Sequence, residues 1–278
     1  MNNKTRADIA IVQNGLCESR EKAQAAIMAG LVYYGERKIL KASETIIPGP
    51  DLILRNPAIP YVSRGALKLE KAVQVFHADL QDKVIMDIGA STGGFTDVCL
   101  KNGAKKVYAI DVGYGQLDWK LRNDSRVCVM ERTNARYLTA EAFDSVPQIA
   151  VMDVSFISIK LILPAAASIM GESGIFYTLI KPQFEAGKEN IGKKGVVRNP
   201  EIHIQVLQNI KEFCTSIGWV MEALDYSPIT GPEGNIEFLA KIIHGSKAIP
   251  NGTVNDESIK NIVSSAHSSL DRQRSSVV

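Results

Sequence analysis

The spacing of apolar residues changes near residue 60 and divides the chain into two parts. In the first part, apolar residues recur every three or four positions in two short segments, which end at Gly15 and Gly30. Short apolar runs separated by turn residues follow, as in a small sheet. The pattern predicts a helix over 5–12 with Thr5 as N-cap, a helix over 19–29, a hairpin over 31–40 with a tight turn at Gly35-Glu36, and a strand over 52–55.

The second part alternates short apolar runs with amphipathic segments, beginning with a helix over 64–76 that we expect Ser63 to cap. Such alternation predicts an α/β fold, a doubly wound sheet with helices on both faces. The last two strands have no helix between them, so we expect one antiparallel member. The predicted elements are strands over 84–88, 106–111, 126–131, 148–153, 174–180, 219–226 and 235–243, and a long helix over 199–217.

Prolines mark the expected domain boundary. Asn56-Pro57-Ala58-Ile59-Pro60 predicts a stiff connector, because each proline restricts the preceding residue to extended conformations. We therefore expect a small α+β domain over 1–60 and an α/β domain over 61–246. The remaining residues, 247–278, form a polar, serine-rich tail that we expect to be disordered from Ser268 onward.

A glycine-rich turn follows the first strand of the second part, with the spacing D-x-G-x-x-x-G-G from Asp87 to Gly94. Glycines let a ligand approach the backbone, and the helix that follows offers unpaired N–H groups. Neither the dinucleotide fingerprint nor the Walker pattern is present. The spacing fits S-adenosylmethionine better, while a generic glycine turn with a capping aspartate is the alternative.

Asp111 ends the second strand about twenty residues later, where a carboxylate can accept the hydroxyls of a ribose. Asn134 lies in a loop beyond the third strand, within reach of a base. The predicted cofactor contacts are Asp87, Gly89, Ala90, Ser91, Thr92, Gly93, Gly94, Asp111, Val112 and Asn134.

Charged residues occur at the ends of two apolar strands, Asp153 after the fourth and Lys181 after the fifth. Burial of an unpaired charge is unfavourable, so these residues should be paired or functional. Lys68 and Glu237 can reach the same place if the helix over 64–76 flanks the sheet and the last strand lies beside the fifth. A catalytic cluster and a structural ion-pair network both fit this pattern.

The first part is rich in cations, which are typical of a surface that contacts RNA phosphates, although a solvated helix face is the alternative. The order of helix, helix and small sheet resembles the alpha-L RNA-binding motif of a ribosomal small-subunit protein, except that Gly35-Glu36 replaces the usual Asn-Gly or Asp-Gly. The predicted RNA contacts are Arg6, Arg20, Lys22, Arg37, Lys38, Lys41 and, in the second domain, Arg64.

Composition limits the remaining function classes. The net charge is +2, so any nucleic-acid contact must come from local patches. No apolar run is long enough to span a membrane, and the first residues lack the apolar core of a signal peptide. The four cysteines are scattered without metal-ligand spacing, so we expect reduced thiols in a cytoplasmic protein and no metal site. The four histidines are not expected to cluster.

Several motifs together resemble the TlyA-type (hemolysin A) rRNA methyltransferases, relatives of the FtsJ-like ribose 2′-O-methyltransferases, over nearly the whole chain. The motifs are Ser63-Arg64-Gly65-Ala66-Leu67-Lys68-Leu69, Asp87–Thr96, Asp111–Gln116, Glu131-Arg132-Thr133-Asn134, Asp153-Val154-Ser155-Phe156, Lys181-Pro182-Gln183-Phe184-Glu185 and Asn235-Ile236-Glu237-Phe238.

This resemblance implies a catalytic tetrad of Lys68, Asp153, Lys181 and Glu237, and methyl transfer from S-adenosylmethionine to a ribose 2′-hydroxyl of ribosomal RNA or ribosomal subunits. Within that scheme we expect Lys181 to take the hydroxyl proton, since the neighbouring Lys68 and desolvation would favour a neutral amine. Asp153 and Glu237 would orient the lysines and the ribose.

Three alternatives remain. A methyltransferase acting on DNA or protein is one, although Asp153-Val154-Ser155-Phe156 differs from the Asn/Asp-Pro-Pro-aromatic motif of amino-methylating DNA enzymes. A membrane-acting haemolysin is the second, and no amphipathic basic segment of membrane type supports it. A non-catalytic rRNA-binding assembly factor is the third.

Overall fold

The computed structural model describes residues 4–28, 30–54, 60–192, 195–248 and 254–275. The chain divides into two compact units, Met1–Pro60 and Tyr61–Val278. Of the predicted connector over 56–60 only Pro60 is among the described residues. Ala29, the last residue of the helix predicted over 19–29, also lies outside the described residues, as does Arg55, the last residue of the strand predicted over 52–55.

The first unit packs two helices onto short strands. Its elements are β1 (Thr5–Arg6), α1 (Ala7–Gln13), α2 (Arg20–Met28), β2 (Val32–Tyr34), β3 (Arg37–Lys38), β4 (Thr45–Ile46) and β5 (Leu52–Leu54). β1 pairs antiparallel with β4, and β3, β2 and β5 form a three-stranded sheet. The residues spaced for a helix face, such as Ala10, Ile11 and Ala23, are fully buried, as the pattern predicts.

The predicted tight turn of the hairpin is confirmed, whereas the predicted N-cap of the first helix is wrong. Gly35 has φ +60° between the paired residues Tyr34 and Arg37, as a tight turn requires. Thr5 does not cap α1. It is paired with Ile46 in β1, and the N-cap position falls on Arg6 with no side-chain cap.

The second unit contains a seven-stranded sheet in the order β11-β12-β10-β9-β6-β7-β8. Its strands are β6 (Val84–Ile88), β7 (Lys106–Ile110), β8 (Val127–Met130), β9 (Ile149–Met152), β10 (Ile175–Ile180), β11 (Trp219–Tyr226) and β12 (Phe238–His244). The five strands from β10 to β8 are parallel, and β12 is antiparallel to both of its neighbours. The predicted fold class and the single reversed strand are confirmed.

Helices cover both faces of this sheet. They are α3 (Ala66–Val75), α4 (Gly94–Lys101), α5 (Trp119–Arg122), α6 (Leu163–Met170), α7 (Pro182–Glu185), α8 (Pro200–Ser216) and α9 (Asp256–Ser275). Side chains of α3, α4 and α5 share one buried cluster, and those of α6, α8 and α9 share another. Ser63 does not cap α3, which begins at Ala66 with Gly65 at the N-cap position and no side-chain cap.

The expectation of a disordered tail from Ser268 is wrong for the described residues, because α9 extends from Asp256 to Ser275. Ile259, Val263, Ala266 and Leu270 are almost fully buried and belong to the cluster formed with α6 and α8. Their spacing of four, three and four residues is helical. The serines between these four positions make the segment polar on average, so its composition alone does not reveal the helical spacing.

Candidate active site

The glycine-rich turn after β6 is built on backbone conformations and close approaches that exclude side chains. Gly89 has φ +85°, and a Cβ there would lie 2.7 Å from the carbonyl oxygen of Asp153. Gly93 has φ +95°, and a Cβ there would lie 2.2 Å from Leu121 Cδ1. The two positions let the ends of β6 and β9 meet and let the turn pack closely on α5.

Asp87 is placed differently from the other predicted cofactor residues. Its side chain is fully buried, and Oδ2 accepts a 2.6 Å hydrogen bond from the Thr96 hydroxyl of α4. Burial raises the pKa of this carboxyl to about 7, although the bond from Thr96 opposes the shift. Asp87 lines neither cavity of this region, so it supports the turn from beneath, and its direct contact with a cofactor stays a prediction.

Two cavities open at the carboxyl ends of the parallel strands, the usual ligand position in such sheets. The smaller cavity, of about 330 Å³, is lined by Asp111, Val112 and Asn134 together with apolar side chains such as Ile110 and Ile157. It therefore brings together the predicted contacts for a ribose and a base.

Asp111 holds the wall of the smaller cavity in place. Its carboxylate accepts the backbone N–H groups of Ser91, at 2.8 Å, and of Gly113, at 2.7 Å. Each oxygen has a second lone pair, so the carboxylate can still accept hydroxyl groups of a ligand.

The larger cavity, of about 530 Å³, adjoins the smaller one and is lined by all four residues of the predicted tetrad. Ala90, Ser91, Thr92 and Gly94 of the glycine-rich turn also line it, whereas Gly93 lines neither cavity. Gly89, Ser91, Asp153, Ser155 and Phe156 border both cavities. A ligand in one cavity and a ligand in the other would therefore lie next to each other along this shared wall.

Strand alternation explains why the four charged side chains converge. Successive side chains of a strand point to opposite faces, and Leu179 and Leu239 belong to the cluster under α3. Lys181 and Glu237, two residues away from them, therefore face α3, and Lys68 of α3 faces the sheet. All four residues meet on one side of the sheet.

The tetrad forms a connected network of ion pairs. Lys68 Nζ lies 2.6 Å from Glu237 Oε2 and 3.4 Å from Asp153 Oδ2. Lys181 Nζ lies 2.6 Å from Asp153 Oδ1. Burial alone would lower the pKa of Lys68, but the two carboxylates outweigh burial and hold that pKa above its usual range. Lys68 is therefore a fixed cation in the site.

A comparison with protein families decides the assignment. Residues 61–242 match the model of the FtsJ-like methyltransferase family, which is well over half of the chain. The chain belongs to the FtsJ-like methyltransferase family. The predicted family and the enzyme class that follows from it are confirmed.

Relatives of this FtsJ-like methyltransferase match nearly end to end. YqxC of Bacillus subtilis, named as a candidate rRNA methyltransferase, is 47% identical over 99% of this chain and 98% of its own length. TlyA of Mycobacterium tuberculosis, named as a 16S/23S rRNA (cytidine-2′-O)-methyltransferase, is 40% identical over 86% of this chain and 89% of its own. A solved Streptococcus thermophilus structure, named as a candidate hemolysin, is 46% identical, covers 99% of this chain and all of its own, and superposes with a TM-score of 0.77.

Two residues of this FtsJ-like methyltransferase site carried no role in the sequence analysis, although their motif was recognised. Phe156 is 91% exposed, has φ +65°, and packs its ring 5.2 Å from that of Phe184. Ser155 accepts a 2.9 Å hydrogen bond from Lys181 Nζ. An exposed aromatic residue in the left-handed region is unusual, and such strained positions are concentrated at functional sites. The sequence carries no signal for that backbone angle.

A loop containing the buried residues Val196 and Val197 also borders the larger cavity, through Gly195. Asn235 holds this loop, donating to the carbonyl of Gly195 and accepting from the N–H of Val197, each at 3.0 Å. Because Asn235 lies two residues before Glu237, the loop wall and the carboxylate are fixed together.

The predicted RNA contacts in the first unit are mostly exposed, but several already have partners. Asp8 is fully buried and accepts hydrogen bonds from Arg6 and Arg20, and the Arg6 guanidinium holds the pKa of Asp8 well below its usual range. Two further ion pairs join Lys22 to Glu18 and Arg37 to Glu44.

Lys38 and Lys41 form no ion pair with another described residue, so they are the more available cations of this unit. In the second unit Arg64 is exposed and donates to the carbonyl of Thr230 at 3.4 Å. Among the described residues, no helix is long and apolar enough to cross a membrane, and no group of three or more histidine, cysteine, aspartate or glutamate residues is suited to a metal ion.

Proposed function

We propose that this protein transfers a methyl group from S-adenosylmethionine to a ribose 2′-hydroxyl of ribosomal RNA. The observation that carries the proposal is the shared wall of the two cavities, beside which Lys68, Asp153, Lys181 and Glu237 meet. The names of the rRNA-methylating relatives supply the nucleic-acid class.

The residues present fit this cofactor. Asp111 offers free lone pairs for ribose hydroxyls, and Ile110 and Ile157 offer an apolar surface for a flat base. Gly89 has no side chain and lines both cavities, so a ligand can approach its backbone beside the tetrad. When bound, the cofactor supplies a methyl group on a positively charged sulfur.

The tetrad supplies orientation and a proton acceptor. With the cofactor bound, its methyl group would be the electrophile for the 2′-oxygen. Lys181, once its amine has released its own proton to solvent, would accept the hydroxyl proton. Lys68 remains cationic between its two carboxylates and holds Asp153 and Glu237 in place. Asp153 in turn lies against Lys181 and stabilises the ammonium group that forms.

The first unit supplies the attachment to RNA in this scheme. Its cations, the exposed Lys41 and the half-buried Lys38 foremost, contact phosphates in a manner that depends on salt and not on base sequence. The target nucleotide is then selected by the shape of the RNA around it.

Methyl transfer to purified ribosomal subunits or their rRNA, with the methyl group of the cofactor labelled, tests the function. We expect label in RNA at a position that resists alkaline cleavage, because a 2′-O-methyl group removes the hydroxyl needed for strand scission. Label at an alkali-sensitive position, or label in protein only, would contradict ribose methylation. Leakage of dye from liposomes at the same protein concentration tests the haemolysin alternative.

Lys181→Ala tests the proton acceptor. We expect turnover to fall by roughly 100-fold or more, the usual contribution of a positioned acid or base. Cofactor affinity, measured separately by calorimetry, should stay within about threefold, because Lys181 lines the larger cavity and not the smaller one. Near-normal turnover would remove Lys181 from the mechanism.

A further inference from the structure

Ser155 lies at the meeting point of the two cavities. It follows Asp153 by two residues in the loop after β9, it is exposed, and it borders both cavities. In the function proposed above, a methyl group would pass from the smaller cavity to an acceptor in the larger one along this part of the wall. The serine hydroxyl is therefore within the region where the reaction occurs.

The two lysines of the tetrad have different hydrogen-bond partners. Lys68 donates to Glu237 at 2.6 Å and to Asp153 Oδ2 at 3.4 Å. Lys181 lies close to Asp153 Oδ1, but outside hydrogen-bond geometry, so this buried oxygen has no aligned donor among the described residues. The aligned bond of Lys181 is the 2.9 Å bond to Ser155 Oγ. Ser155 therefore orients the Lys181 amine, while Asp153 attracts it.

The loop that carries Ser155 is held firmly. Glu185, in the short helix directly after Lys181, accepts a 2.6 Å bond from the Ser158 hydroxyl and a 2.8 Å bond from the N–H of Ile159. The ring of Phe156 packs on that of Phe184. The segments that carry Ser155 and Lys181 are thus tied to each other, which keeps the hydroxyl at a defined distance from the amine.

We propose that Ser155 is a positioning residue for methyl transfer, whose Oγ accepts one N–H of the Lys181 amine and so directs the nitrogen lone pair at the acceptor hydroxyl. The proposal rests on the function proposed above and adds the group that orients its proton acceptor. A neutral amine has two N–H groups and one lone pair at tetrahedral angles. With one N–H on Ser155 and the other toward Asp153, the lone pair remains for the substrate proton.

Ser155→Ala and Ser155→Thr test this role with the full-length protein. We expect kcat to fall roughly 10-fold in Ser155→Ala, because the amine loses its fixed direction, while the KM values for cofactor and rRNA change less than about twofold. Ser155→Thr keeps the hydroxyl and should recover most of the rate. The pH at which kcat reaches half its plateau should move in the alanine variant and return in the threonine variant.

Ser158→Ala is the matched control, since it loosens the same loop without removing the bond to Lys181. It should lower the melting temperature and weaken cofactor binding without moving the pH profile. A Ser155→Ala enzyme with normal kcat and pH profile would overturn the proposal. So would a kcat defect that threonine fails to repair, or one that Ser158→Ala reproduces in every readout.

Amine labelling separates this proposal from the proposed function. Acetic anhydride labels a lysine according to its fraction of free amine, and mass spectrometry follows the Lys181 peptide across pH. We expect the labelling profile of Ser155→Ala to differ from that of the wild type, and that of Ser155→Thr to match it. If the wild-type protein transfers no methyl group to rRNA, the proposed function fails. An unchanged Lys181 profile would overturn the role of Ser155 by itself.

Discussion

Asp87 and Phe156 are single residues whose environments oppose their chemical preferences. Asp87 is a carboxyl group with no exposure to water, and one of its oxygens has no hydrogen-bond partner among the described residues. Phe156 is an aromatic ring left in solvent on a strained backbone. Both lie at the glycine-rich turn and the loop that faces it, where such residues indicate selection for function over stability.

Asp87→Asn should reveal how much the buried carboxyl group of Asp87 contributes to the free energy of unfolding, and how that contribution changes with pH. The raised pKa, about 7, means that this group stabilises the fold below its unfolded value near 3.8 and that the contribution is lost as pH rises through 7. At pH 8 the variant should therefore gain on the order of 3 kcal/mol relative to wild type, and much less at pH 4. Denaturant unfolding at both pH values measures the difference. Asp82→Asn, at an exposed position, should show none.

Phe156→Gly should separate stability from activity. Glycine relieves the positive φ, so we expect the melting temperature to stay level or rise. Loss of the ring removes a surface on which a base of the RNA can stack, so KM for rRNA should rise roughly 10-fold. Phe156→Trp should retain tight rRNA binding. Equal rRNA kinetics in the glycine variant and the wild type would exclude the stacking role.

At the scale of elements, the sheet was predictable and the contacts between helices were not. Every strand of the sheet lies within a few residues of its predicted span, because apolar runs are written directly into the sequence. The predicted strand over 235–243 begins instead at Phe238, since Asn235 and Glu237 serve the loop and the lysines. Side-chain partners such as these depend on which elements pack together.

The histidines illustrate the limit of prediction. They were expected not to cluster, yet His203 Nδ1 of α8 lies 3.0 Å from His267 Nε2 of α9. Sixty-four residues separate the pair, and its members meet only because both helices pack on one face of the sheet. Asp8 also depends on the fold, which buries it fully against Arg6 and Arg20.

The packing of α9 should be sensitive to acid. Burial, and next the nearby His267, lower the pKa of His203 to about 4, so its neutral form stabilises the fold above the unfolded value near 6.5. That contribution is lost as pH falls through 4. We expect the free energy of unfolding to drop by on the order of 3 kcal/mol between pH 7 and pH 4 from this group, and His203→Phe to remove that part. His77→Asn, at an exposed position, should leave the pH dependence unchanged.

At the scale of the whole molecule, the active site is a property of long-range topology. Lys68 and Glu237 are 169 residues apart, and their 2.6 Å contact requires α3, β9, β10 and β12 to be in place together. Apolar patterning predicted each element, but the family resemblance selected these four charged residues from many. The cofactor residues were predicted from local motifs at the ends of three strands, β6, β7 and β8, without needing long-range contacts, and their contacts stay a prediction.

The balance of charge over the molecule also makes a prediction. The chain is nearly neutral, so its affinity for rRNA should depend on few exposed cations. Lys38→Gln with Lys41→Gln should weaken rRNA binding and lower the slope of log Kd against log salt by about two. Lys105→Gln, at an exposed position before β7, should change neither. An unchanged slope in the double variant would remove these lysines from the RNA surface.

Register connects folding to chemistry in this protein. Ile180 of β10 is opposite Phe238 of β12, and side chains from Ile236 to Ala240 alternate between the two buried clusters, with Glu237 on the side of Lys68. A slip of one residue would drive the carboxylate into the apolar layer beneath α8 and put a benzyl group beside the lysine. Misaligned chains would thus be both unstable and inert, so quality control that removes poorly folded copies also removes enzymes with a broken charge cluster.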